Sequence, residues 1–129
     1  MTSTPLRWAN ILIGGFLAEL CVFAIVFPAL WLFGQQAFLA SILIASAVMP
    51  FVFAVWVGRV AESRFVLHGA LVGLVAAVIY LLLAWGQPQP LLYKIAHGLK
   101  IAGGMAGGLV AARRKSTAIA NPQSPIPNP

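Results

Sequence analysis

The sequence predicts an all-α integral membrane protein: an antiparallel bundle of four transmembrane helices, with the N- and C-termini cytoplasmic. Three observations carry this. Of 129 residues, 61% are hydrophobic and only 8% are charged, where a soluble domain would carry about 25% charge. The apolar residues fall into runs at about 9–33, 37–58, 65–85 and 91–112, each at or beyond the ~20 residues that cross a bilayer. Apart from Lys94 and Lys100, the basic residues flank those runs.

The lead, 1–8, ends in Arg7 and Trp8, a charge and an indole suited to a membrane interface. The first run, 9–33, is too long for the 7–15-residue core of a secretory signal and reads as an uncleaved span. It carries Gly14, Gly15, Glu19 and, near its outer end, Pro28. Gly34, Gln35 and Gln36 make an uncharged turn. The second run, 37–58, has no charge; Pro50 near its middle predicts a kink, because it removes a backbone donor and crowds the preceding turn. Arg59, Glu62 and Arg64 form a short charged loop.

In the third run, 65–85, Gly69, Gly73, Ala76 and Tyr80 share a stripe, a small-xxx-small seam. His68 lies off that stripe and reads as an interfacial residue. After the uncharged turn 86–90 comes the fourth run, which holds most of the unusual residues. With Lys100 as origin on a helix, Tyr93, Ala96, His97, Gly103, Gly104, Gly107 and Ala111 fall within roughly 60° of it. Ile95, Ala102, Met105 and Leu109 face the other way. Gly103/Gly107 and Gly104/Gly108 are overlapping small-xxx-small pairs, which let helix backbones approach closely in lipid. Arg113, Arg114 and Lys115 form a basic stop. The Pro-rich remainder to residue 129 has too little apolar surface to fold and is expected to be disordered and cytoplasmic. Placing Arg7, Arg59, Arg64 and the basic stop on one side gives a strong positive-inside pattern.

Two charges lie deep within runs. Glu19 is about 16 Å along its helix from one edge and Lys100 about 14 Å from the other, so both fall near the midplane of a core about 30 Å thick. A lone charge there costs about 2.5–3.5 kcal/mol on insertion scales. Glu19 is therefore expected to face Lys100, with His97 one turn away able to share the network. The bulky Leu12, Phe16, Phe23 and Val26 around Glu19 are expected to complement the glycine groove of the last helix.

Composition excludes several functions. The net charge of +6 is explained by topology, so nucleic acid is not an expected partner. Cys21 is the single cysteine and cannot form an internal disulfide. His68 and His97 lie near opposite faces, so they cannot share one metal, and neither a metal nor another cofactor is expected. With two carboxylates in all, on different sides of an interface, paired-acid hydrolysis is out of reach. Phosphate-loop, CxxC and HExxH motifs are missing, and an enzyme is not expected.

The stretch Ile13-Gly14-Gly15-Phe16-Leu17-Ala18-Glu19-Leu20 resembles the first span of the small multidrug resistance transporters, which are four-span proteins of similar length. The resemblance covers these eight residues. It implies a dimeric transporter in which Glu19 alternately binds protons and cationic drugs. Lys100 departs from that pattern, because a buried cation would neutralise an acid meant to hold a cationic ligand. The reading of the whole chain is a non-enzymatic structural or accessory component of a membrane assembly. It would sit in a bacterial cytoplasmic (inner) membrane and pack against itself or a larger complex through its glycine faces. Proton-coupled transport through Glu19 is the alternative.

Overall fold

A computed structural model describes residues 6–120. They form three helices: α1 (Trp8–Val60), α2 (Phe65–Leu83) and α3 (Leu91–Ala120). All three are long and apolar enough to cross a membrane.

The expected four transmembrane helices are thereby corrected to three. The first two predicted spans fall in one element, Trp8–Val60, as two helical limbs that meet at Gly34 with no loop between them. A single residue, Gly34, takes non-helical dihedrals (φ 82°, ψ −173°) and breaks the axis. This corner of backbone space is essentially open to glycine alone. Arg7 and Lys115 both reach the turn after α1, so the two described ends of the chain lie at one end of the bundle. Pro28 and Pro50 both lie inside α1, and Gly34, where the sequence placed a turn, is its residue with non-helical dihedrals.

The two limbs of α1 lie against each other. Val22 and Val26 before the break share a buried cluster with Ile42 and Ala45 after it, joined by Ala96 of α3. On a straight helix Val22 and Ile42 would stand about 30 Å apart. A second cluster, Ile11, Val57 and Val72, joins both limbs to α2 at the other end. Each helix packs on the other two.

Glycines set the spacing of α3. A Cβ at Gly104 would strike the carbonyl of Gly69, and one at Gly69 the carbonyl of Gly104. Gly73 abuts the Lys100 carbonyl and Gly108 that of Phe65. Gly103 and Gly107 instead meet the carbonyls of Ala47 and Phe51 in the second limb of α1. The two glycine pairs of α3 thus serve two different neighbours. The glycines do not receive the bulky residues near Glu19: Leu12 and Phe16 are exposed, Val26 packs with Ala96 and Phe23 with Tyr80. Backbone fits against backbone more closely than a large side chain can, so α2 and the second limb take those positions.

α3 continues through Arg113, Arg114 and Lys115 to Ala120, eight residues beyond the predicted end at 112. The remainder of the Pro-rich tail, 121–129, lies outside the described residues. At this end the short turn after α1 places Arg64 in the left-handed region (φ 53°, ψ 40°). Lys115 donates to the Ala61 carbonyl, with its ammonium 5.3 Å from the Phe65 ring centre. Arg7 pairs with Glu62 at 3.1 Å on the exposed surface.

Candidate functional site

Glu19 enters the interior because it shares a helical face with buried Ile11, Gly15, Ala18 and Val22, the i, i+3, i+4 pattern of one helix stripe. Gly15 lies against Val72 and Val75 of α2, which draws this part of the first limb inward. Lys100 reaches the same depth from α3, on a face it shares with Ala96, Gly104, Gly107 and Ala111, all buried. Opposite them, Ile95, Ala102, Met105 and Leu109 are exposed.

Lys100 Nζ donates to Glu19 Oε2 at 2.6 Å. The side chains are 2% and 1% exposed, respectively. The other Glu19 oxygen, Oε1, is buried without a hydrogen-bond partner. The ammonium also stands 5.0 Å from the centre of the Tyr80 ring, within the range of a cation–π contact. An ion pair in so dry a place holds only when its geometry is good, because each charge has lost its water.

The pair forms part of the wall of a cavity of about 190 Å³ between both limbs of α1, α2 and α3. The walls are largely aromatic. Phe23 stacks on Tyr80 at 6.2 Å, and Tyr80 on Tyr93 at 5.7 Å. His97 also lines the cavity, its ring tilted 5.0 Å from Tyr80. Both of its nitrogens are buried and lack partners. The structure therefore brings Glu19 and Lys100 together and sets His97 on the same cavity, without a hydrogen bond to either.

Tyr80, Tyr93 and Phe23 were not singled out as site residues by sequence reasoning. A signal for Tyr80 existed, since it extends the Gly69, Gly73, Ala76 stripe. What the stripe lacks is the distance to Lys100, which depends on how closely the glycines admit α3. Of the predicted packing residues, Gly69, Gly73, Gly104 and Gly108 lie at the α2–α3 contact, and Gly103 and Gly107 at the α1–α3 contact.

His68 lies at the helix ends beside Arg7 and Arg64, buried at 3% exposure. Its Nδ1 lies 3.0 Å from the Arg64 carbonyl, and its Nε2 accepts from the Arg7 backbone N–H at 3.4 Å. Those partners select the neutral tautomer protonated on Nδ1. The imidazole thereby ties the start of α1 to the start of α2.

Chemically, the site has a closed charge pair, an orphan imidazole and aromatic walls. Among the described residues, His, Cys, Asp and Glu form no group of three that could hold a metal ion. Set against protein-family models, curated proteins and solved structures, the chain finds no match, and its reading rests on its own residues.

Proposed function

We propose that this chain is a non-enzymatic component of a membrane assembly, in a bacterial cytoplasmic membrane, whose internal ion pair clasps its helices in register. The observation that carries this reading is the 2.6 Å contact between Lys100 and Glu19. Each group spends its charge on the other, which leaves neither as a free nucleophile or base. The glycine faces, first candidates for contact with other chains, are filled from within. Contacts with a second copy or a larger complex must then use the outward faces.

The test has two parts. Native mass measurement of the chain in lipid nanodiscs, at falling protein concentration, reads self-association. Crosslinking in native membranes from exposed positions such as Met105 and Leu109 reads other partners. A defined homo-oligomer or a reproducible stoichiometric adduct supports the reading. A single-chain mass at every concentration, with no adduct, overturns it.

Proton-coupled transport of the small multidrug resistance type has one observation in its favour: the unpartnered Glu19 Oε1 on a cavity wall. That reading requires Lys100 to release the carboxylate during each cycle. It expects pH-dependent uptake of a cationic dye into proteoliposomes, abolished by Glu19→Gln.

A further inference from the structure

The cavity beside the ion pair is built for a ligand of one kind. An apolar cavity of about 150 Å³ takes up a benzene ring, and this one measures about 190 Å³. Phe23, Tyr80 and Tyr93 stack on one another and give the cavity an aromatic wall against which a ring can pack. Polar groups on the wall are present and unspent. Glu19 Oε1 is an acceptor, and the two His97 nitrogens supply one donor and one acceptor when neutral. The Lys100 ammonium has three N–H groups, of which one is committed to Glu19. Buried polar atoms without partners are uncommon in folded proteins and call for an explanation. Here three of them gather in one cavity.

Charge narrows the ligand. Glu19 and Lys100 cancel, so a cation finds no net attraction. The face of Tyr80 that would hold a foreign cation already holds Lys100. An anion would meet the bare carboxylate oxygen. A neutral ring with both a donor and an acceptor satisfies Glu19 Oε1 and one His97 nitrogen.

We propose that this cavity binds the ring of a neutral, membrane-soluble phenol or quinol, packed against the wall of Phe23, Tyr80 and Tyr93 and hydrogen-bonded to Glu19 Oε1 and His97. The hydroxyl donates to the carboxylate oxygen and a ring oxygen accepts from imidazole. Binding involves no electron transfer. The proposal is independent of the accessory role, since a clasped bundle with or without partner chains can hold the ring.

The experiment uses the full chain in lipid nanodiscs, with the imidazole nitrogens of His97 followed by NMR and assigned with a His68→Gln sample. The probe is 1,4-hydroquinone carrying a decyl tail on one ring carbon, kept reduced under argon. A saturable shift of the His97 signals is expected. Ala96→Phe, which fills the cavity, is expected to abolish it. His97→Phe keeps an aromatic wall and is expected to weaken binding about tenfold, read by displacement of tritiated probe. If Ala96→Phe does not fold, His97→Phe carries the comparison. The same ring without its tail separates the sources: equal binding identifies a free phenol, and at least tenfold weaker binding a lipid headgroup. Decyltrimethylammonium, with the same tail and a fixed cation, is expected to bind at least tenfold more weakly than the quinol. A shift that rises linearly without saturation, one that survives Ala96→Phe, or tighter binding of the ammonium probe overturns the proposal.

Discussion

Lys100 and Glu19 stand 81 positions apart in the chain, and their charged atoms meet at 2.6 Å in the dry middle of the bundle. Removing one partner of such a pair strands the other. Lys100→Met should therefore destabilise the fold by about 3–5 kcal/mol, and Glu19→Gln similarly. The double variant leaves no buried charge and should return close to the parent. Unfolding in mixed detergent measures all four proteins. A double variant whose loss equals the sum of the singles would show that the two groups act separately.

The same contact shows how far the sequence could be read. Helical spacing put Tyr93, Ala96, His97, Gly103, Gly104, Gly107 and Ala111 on the Lys100 face and Ile95, Ala102, Met105 and Leu109 opposite; the first set is buried or half-buried and the second exposed. A face is a local property, set by 3.6 residues per turn. What the glycines touch is not local. Gly103 and Gly107 meet α1 while Gly104 and Gly108 meet α2, a division that depends on how three helices share a perimeter. The number of helices turned on one residue: Gly34 breaks the axis without a loop, and an apolar run on either side of a short turn looks like two separate helices. The cavity was beyond reach for a further reason. Its volume is the space that Tyr80, Tyr93 and Phe23 leave between helices, and no spacing within one helix contains it.

Gly104 tests the backbone contact with α2. Its added Cβ would collide with the Gly69 carbonyl, which cannot swing aside as a side chain end could. Gly104→Ala should cost about 1–3 kcal/mol through overpacking. Gly98 is the control, because nothing lies within 4 Å of its Cβ position. Gly98→Ala should be neutral or stabilise by about 0.4–1 kcal/mol, through the reduced freedom of the unfolded chain. The comparison of unfolding midpoints decides. Equal effects at the two glycines would mean that α2 and α3 are not in backbone contact.

His68 holds the entry to α1 by two hydrogen bonds of opposite sense, toward the Arg64 carbonyl and from the Arg7 N–H. His68→Leu should lose about 1–3 kcal/mol, because it leaves the Arg7 N–H without its partner, while the Arg64 carbonyl keeps the backbone N–H of residue 68. The loss should be concentrated at the chain ends it joins. Hydrogen exchange at Arg7 and His68 itself, or at the Leu replacing it, should quicken more than at Val22 or Ala45. The surface pair Arg7–Glu62 offers the contrast, since exposed pairs contribute only about 0–1 kcal/mol. Glu62→Gln should leave exchange at Arg7 nearly unchanged.

Gly34 is the position on which the placement of the two limbs of α1 depends. At φ 82° and ψ −173° a side chain would be strained by its own backbone. Space is not the issue, because nothing lies within 4 Å of its Cβ position. Gly34→Ala should then cost about 1–3 kcal/mol from backbone strain alone. Relief of that strain pulls the dihedrals toward the helical region, which would straighten the break and part Val22 and Val26 from Ile42 and Ala45. A nitroxide pair at Ile25 and Leu39, both exposed, reports the limb separation by pulsed electron resonance. The distance should broaden or lengthen in Gly34→Ala, and D-alanine placed at the same position by chemical ligation should restore it, since positive φ is favourable for that enantiomer. An unchanged distance with unchanged stability would show that the break is held by packing of the limbs and not by the glycine.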